Sequence, residues 1–280
     1  MATYYIDPGG TNSGPGTSPA APWLTIQYAI TNSTTGDTIV LAAGTYTQSA
    51  NLALSARTYR GAGYASTIID FASGNYRLIL NGTAITIESL QIANITRTDE
   101  EMCVVNQVSN AIVTFNYVWF KALVCGVNRG VLSLDGTFGS NPSTMTLVSC
   151  LFTGCSKRTT TSTSGHVAIT SASSIATLIN CIIYSDPASA ALGCTVVWSL
   201  GNSGRKYILK NCIIRSTASV GFGNSSDVYT GSATNAISGY TTVPAGAAAT
   251  ITADPLFYDT ANNNFDLRPT SPCLNTGTLA

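Results

Sequence analysis

Residues 180–183 read Asn-Cys-Ile-Ile, residues 211–214 repeat the same four, and residues 149–152 read Ser-Cys-Leu-Phe. Cys150, Cys181 and Cys212 are therefore spaced by 31 and 31 residues. Very few architectures repeat one short apolar string at such an interval. An antiparallel sandwich gives many short strands but no single recurring motif, whereas a solenoid gives one motif per coil. Going backwards, "VTFNYVWF" (113–120) places Tyr117 at the repeated position, 33 residues before Cys150, and "TIESLQI" (86–92) places Leu90 there, 27 earlier again. Going forwards, "TNAIS" (234–238) places Ala236 there, 24 after Cys212. The interval wanders while the short strand persists, which predicts strands of fixed length joined by loops of variable length.

The recurring strings are rich in Ile, Val, Leu, Thr and Phe, and the connections in Ser, Thr, Gly and Asn. Those are strand and turn compositions respectively. A coil of this kind cannot bury its own apolar side. Coils must stack, about 4.8 Å apart, to share one core. The repeated Cys150, Cys181 and Cys212 are expected to stack inside as small hydrophobes. Asn180 and Asn211 are expected at the bend just before them, because Asn tolerates a left-handed backbone, and to form a side-chain ladder.

Both ends of such a stack need covers. In "APWLTIQYAI" (21–30), Trp23, Ile26 and Ile30 recur at helical spacing with Tyr28 and Ala29 alongside, which predicts a short capping helix. The segment 253–277 is turn-rich, with Phe257, Phe265 and Leu267 as anchors, and reads as a wrap over the last coil. The expected organisation is one domain: a turn region and capping helix over 1–35, coils over 36–250 and a C-terminal cap over 251–280.

The strings "YYIDPGGTNSGPGTSPAAPWLTIQYAI", "GDTIVLAAGTY" and "DPLFYDTANNNFDLRPTSPCLNTG", with the repeats between them, resemble the right-handed parallel β-helix proteins of the pectate-lyase-like superfamily. The resemblance covers nearly the whole chain. It implies an all-β, right-handed parallel β-helix with a short N-terminal capping α-helix and an irregular C-terminal cap. It does not choose an activity, since the superfamily holds polysaccharide lyases, glycoside hydrolases, adhesins and phage tail or capsid proteins. It does imply what an enzyme would need: an acidic cluster for Ca²⁺ and a basic residue in a lyase, or paired Asp in a hydrolase.

No strand string carries two closely spaced Asp. The best acidic candidate is Asp99, Glu100 and Glu101 in "RTDEE". In later coils the comparable region holds Arg129, Lys157, Arg158, Asp186 and Arg215, which in-register stacking would turn into one charged ridge. Three readings stay open for that ridge: a glycan site, a Ca²⁺ site, or solvated turns. His166 is the only histidine and lies in a Ser/Thr-rich stretch with no nucleophile elbow, so it reads as exposed and inert. Asp7, Asp37 and Asp254 sit in turn strings and read as structural. Trp119, Trp198 and several of the 13 Tyr could stack on sugars if exposed, but Trp119 lies with Tyr117 on one face of the alternating run "NYVWF", which favours core or inter-coil stacking.

Composition excludes several partners. Only 9% of residues are charged and the formal net charge is zero, against about a quarter charged in ordinary domains. Neither nucleic acid nor an anionic membrane is favoured by such a surface. No stretch approaches the roughly 18 apolar residues of a membrane span, and the first residues lack the pattern of a signal peptide. Among 8 cysteines there is no CxxC pair, so reduced thiols and no structural metal are expected.

These readings rank a non-enzymatic structural or surface protein of a larger assembly first, such as a phage capsid decoration or tail-surface component. Its expected location is a virion surface, or outside the cell after lysis. Its expected partners are copies of itself, other assembly proteins and a surface glycan. A polysaccharide depolymerase stands second, with Ca²⁺ if it is a lyase and otherwise no cofactor. A glycan-binding adhesive module stands third.

Overall fold

The computed structural model describes residues 1–99, 102–126, 130–134, 142–157, 165–169, 174–185, 195–199, 205–221, 228–231, 235–242 and 251–276. Nine strands, from Thr3–Ile6 to Val228–Gly231, stack side by side in one path. A second branch of the same sheet runs from Gly44–Thr47 to Ala236–Thr242. A separate six-stranded sheet runs from Leu52–Leu54 to Thr195–Ser199. Each strand pairs with its counterpart one coil away, and all these pairings are parallel. The chain is a right-handed parallel β-helix.

Register makes the outer face regular. On the nine-strand face one column reads Thr3, Thr38, Thr58, Thr86, Thr114, Thr146, Thr177, Ile208 and Thr230. Threonine is β-branched, which suits a strand, and its hydroxyl suits an outward position. The alternate positions are fully buried: Phe115, Leu147, Leu178 and Leu209 are each 0% exposed. Deeper in the core, Phe120 and Phe152 stack at 4.5 Å with nearly parallel rings, and Phe115 meets Phe120 edge-on at 5.2 Å. Such stacked pairs add to the area that each ring buries.

The first and second branches meet at a single residue per coil in the left-handed region: Ser89, Tyr117, Ser149, Asn180 and Asn211, with φ between 52° and 56°. The residue after each bend turns inward. Those residues are Leu90, Val118, Cys150, Cys181 and Cys212, all essentially buried. This corrects the sequence alignment at two coils. Val118, not Tyr117, pairs with Leu90, and Tyr117 occupies the bend itself. At the far end Ile213 pairs with Ala236, so Asn235 rather than Ala236 lies opposite Cys212. Asn235 is buried, accepts from the Cys212 amide at 3.0 Å and donates to the Leu209 carbonyl at 3.0 Å.

The cysteine column lies inside. Each thiol donates weakly to a carbonyl of the previous coil: Cys150 to Phe115, Cys181 to Leu147 and Cys212 to Leu178, at 3.4–3.5 Å. Burial pushes the thiols of Cys181 and Cys212 well up. A buried thiol of raised pKa holds little thiolate and reacts slowly.

Asn180 and Asn211 sit at the bend because Asn adopts this backbone at less cost than other non-glycine residues. Asn180→Ala is expected to destabilise by about 1 kcal/mol, while Asn180→Gly stays within about 0.5 kcal/mol of wild type. Urea denaturation of the two variants side by side checks that order.

At the N-terminal end, the open edge of Thr3–Ile6 is covered by the chain itself. Tyr5 donates to the Gly16 carbonyl, Trp23 to the Tyr5 carbonyl and Asp7 to the Trp23 carbonyl, at 2.8–2.9 Å. The helix is shorter than the 21–30 pattern, spanning Ile26–Thr31. Trp23 precedes it, bridging to Ile6 and stacking on Tyr4 at 4.7 Å. Thr25 caps the helix by accepting from the Tyr28 amide at 3.1 Å. At its other end the buried guanidinium of Arg57 donates to the carbonyls of Ile30 and Ser33 at 3.0 and 2.5 Å. A cation there complements the helix dipole and satisfies orphan carbonyls.

Asp37 holds this end together. Its carboxylate accepts from the Ala2 amide at 2.7 Å and from both the amide and hydroxyl of Thr34 at 2.9 Å. Those donors, with the Ala2 amide foremost, hold its pKa below the ordinary 3.8. A lowered folded value means that the stabilisation is full above the ordinary value and is lost as pH falls through the folded one. Protection of the Ala2 and Thr34 amides against hydrogen exchange is therefore expected to drop below about pH 4. In Asp37→Asn that drop should disappear, because no carboxyl titrates.

The C-terminal segment begins over the last coil, where Ile251 bridges to Ala236 and accepts from the Ile237 amide at 2.9 Å. Phe257–Asp259 and Asn264–Leu267 form an antiparallel hairpin around a 3-10 turn, Thr260–Asn262. The hairpin lies back along the flank of the second branch. Tyr184 packs against Phe257 and Phe265 at 6.0 and 5.3 Å, and the two phenylalanines meet at 5.3 Å. Asp254 tethers its start, accepting from the Leu256 amide and from Arg215, both at 2.9 Å.

Candidate functional site

Asp99 lies just past the strand Ala84–Thr96 and is held by Arg97. The Arg97 guanidinium donates to both Asp99 carboxylate oxygens, at 3.1 and 2.6 Å, and to the Asn75 carbonyl at 2.9 Å. Arg97 is only 4% exposed. A buried guanidinium needs a counter-ion, and the bidentate geometry fixes both partners. Asp99 thus anchors a turn. Glu100 and Glu101 lie outside the described residues.

Of the expected ridge, Arg129, Arg158 and Asp186 also lie outside the described residues. Register separates the other two. The backbone of Lys157 pairs with Cys125, whereas Arg215 pairs with Tyr184, which pairs with Thr153 four residues before Lys157 in its own coil. Lys157 and Arg215 therefore stand in different columns. His166 is placed only through its strand, Gly165–Ile169, and Trp198 through its pairing with Ala168. Among the described residues no three His, Cys, Asp or Glu side chains gather as a metal site would require.

The structure assembles a different set. Between the bend column and the C-terminal hairpin lies an open groove of about 480 Å³. Tyr64, Tyr117 and Trp119 line its solenoid side, and Asn263, Asn264 and Asp266 its hairpin side. Leu151, Ile182 and Phe265 contribute apolar surface between them. The volume falls in the range of ligand clefts, about 300–1,000 Å³.

Its aromatic wall is fixed on one side and open on the other. Trp119 donates from Nε1 to the Thr153 hydroxyl at 2.7 Å, meets Tyr64 edge-on at 6.1 Å and lies under the Lys121 ammonium at 4.6 Å. Tyr64 and Tyr117 are 48% and 56% exposed. Tyr117 is the unusual member. Its φ is 55°, a backbone that costs a bulky residue on the order of 1–3 kcal/mol. The equivalent bends use Ser or Asn. The strain places a phenol at the mouth of the groove.

On the hairpin side, Asp259 accepts from the Asn262 amide and side chain at 3.3 and 2.7 Å, and these bonds lower its pKa. Asn263, in the left-handed region at φ 58°, then turns the chain into the Asn264–Leu267 strand. Amides and a carboxylate thus face aromatic rings across an apolar floor. Such a lining offers ring faces to C–H surfaces and donors and acceptors to hydroxyl groups. The described lining contains one carboxylate, Asp266. Glycoside hydrolysis uses two, about 5–9.5 Å apart.

No protein-family model matches the chain, and no curated protein matches it. Solved structures with a similar course include a pectin methylesterase from carrot, 10% identical over 91% of this chain and 89% of that one, with a TM-score of 0.47. A rhamnogalacturonan lyase is 13% identical over 97% and 96%, with a TM-score of 0.34. The Geobacillus virus E2 protein ORF18 is 14% identical over 89% of this chain and 59% of that one, with a TM-score of 0.40. Likeness at this level concerns the solenoid course alone.

Proposed function

We propose that the chain is a non-enzymatic β-helix module that binds a glycan in the groove between Tyr117 and the C-terminal hairpin. We place it on the surface of a larger assembly such as a phage particle. The observation that carries the reading is Tyr117. A bulky ring occupies a left-handed bend where other coils use Ser or Asn, and it faces a groove lined by Trp119, Asn263 and Asp266. Strain of this kind persists where function selects it. The surface setting rests on composition, since a chain with 9% charged residues and no net charge resists close packing with neighbours only weakly.

A neutral or mildly polar oligosaccharide suits the groove better than a strongly acidic one, because Lys121 at its edge is balanced by Asp266 in its wall. The test has two steps. The protein is applied to an oligosaccharide array, and the glycans it retains are then incubated with it, with and without Ca²⁺, and separated by size. Binding without fragmentation is the expected result. Shortened products would assign the depolymerase reading instead, and an array with no retained glycan would remove the binding reading.

A further inference from the structure

The nine-strand face presents a second feature, independent of the groove. The strand segments 112–116, 144–148 and 175–179 at its centre carry no charge. Around Thr114, Thr146 and Thr177 the outward neighbours are Ile112, Val148 and Ile179 among others, and Ile112 is 60% exposed. Charge returns two coils away on each side of Thr146. On one side stands Glu88, next to Thr86 and paired with Arg60 of the preceding coil. On the other stand Lys206 and Lys210, flanking Ile208.

We propose that this face is a self-association surface on which a second copy packs across a two-fold axis running along the strands through the Thr146 coil. Three observations select a second copy and this arrangement. First, side chains on stacked coils recur about every 4.8 Å, and rows with that spacing mesh along their length with another face of the same spacing. Second, the uncharged area is centred on Thr146, with acid and base at equal coil counts on opposite sides. A two-fold axis along the strands reverses coil order and preserves columns. It therefore sets Lys210 of one copy over Glu88 of the other, twice per dimer, and sets Lys206 over Ala84. Third, the alternative two-fold axis, along the solenoid, would set Lys206 over Lys210, and opposed like charges destabilise. An interface of this kind is isologous and closed.

Five coils at about 4.8 Å and three outward columns at about 7 Å make a face of roughly 500 Å² per copy. The pair then buries on the order of 1,000 Å², the lower end for specific association. The dimer is accordingly weak, and it forms as concentration rises.

Sedimentation velocity of the full chain across a concentration series tests this. The wild type is expected to shift from monomer to dimer, and Thr146→Lys to raise the dissociation constant about tenfold or more. Circular dichroism and the thermal midpoint establish that the variant is folded. Lys210→Glu and Glu88→Lys are each expected to weaken the dimer when alone, since each opposes like charges across the axis. Mixed in equal amounts, they should associate again, because the heterodimer has two Glu–Lys contacts. A chain monomeric at every concentration, with the face left to a different protein, overturns the proposal. So does a dimer indifferent to Thr146→Lys, or one whose two charge variants fail to recover on mixing.

Discussion

Phe152→Ala is expected to destabilise the β-helix by about 3–5 kcal/mol. Phe152 is 0% exposed and stacks on Phe120 at 4.5 Å, and Phe120 in turn meets Phe115. The truncation removes a ring from the shared core and leaves a cavity between coils. Strands at fixed parallel register on both sides limit how far the walls can close. In a solenoid, stability is a sum of coil and interface terms, so a weakened central interface uncouples the two halves. The denaturation curve should therefore broaden as well as shift. Thr86→Ala, on the outward column, should change stability by less than about 1 kcal/mol. Urea titration followed by circular dichroism compares the two. Equal effects would contradict the assignment of inner and outer columns.

Tyr117→Ala is expected to lower affinity for the groove's glycan at least about tenfold, or about 1.4 kcal/mol, once a ligand is in hand. The ring is more than half exposed, so its removal takes little from the core. Alanine also relaxes none of the backbone demand at φ 55°, and the thermal midpoint should stay close to wild type. Tyr117→Asn is the sharper variant. It suits the bend, as Asn180 and Asn211 do, and removes the ring. The expected outcome is a fold as stable as wild type or more so, with binding weakened to the same degree. Gain of stability with loss of binding is what a strained functional residue gives. Calorimetric titration of both variants measures the affinities, and a melting curve measures the rest.

The fold was legible because one motif recurs at 31 residues in three coils and because its strands and turns differ so clearly in composition. Asn180 and Asn211 announced the left-handed bend, since few residues adopt it. Alignment slipped by one at Tyr117 and Ala236, where Asn116 and Asn235 imitate the Asn of the Asn-Cys pair but stand out of its column, Asn116 pairing with Val148 and Asn235 lying opposite Cys212. Strand alternation alone could not show the slip, because a bend residue interrupts the period of two. Within the run "NYVWF", Val118 and Phe120 take the core, and Trp119 is buried and bonded across coils to Thr153, as its core or inter-coil expectation has it. Tyr117 alone departs, exposed at the groove.

The groove itself was not legible. One wall comes from residues 64 and 117–119 and the other from 263–266, and their meeting depends on a hairpin docking on Tyr184. The Tyr184 hydroxyl reaches the Thr260 hydroxyl at 3.3 Å across 76 residues of sequence. No local pattern encodes such a contact. One signal was available in principle. With the bend column aligned correctly, Tyr117 stands alone among Ser and Asn. The Arg97–Asp99 pair spans only two residues, but the burial that makes Arg97 need a counter-ion comes from the fold and is not written in the string "RTDEE".

The most direct measurement is hydrogen exchange of the full chain with and without a glycan retained from the array. Added protection is expected in peptides covering 117–121 and 263–266, with little change around 97–106. Protection centred on the region after Arg97, or none near Tyr117, would contradict glycan binding in the groove.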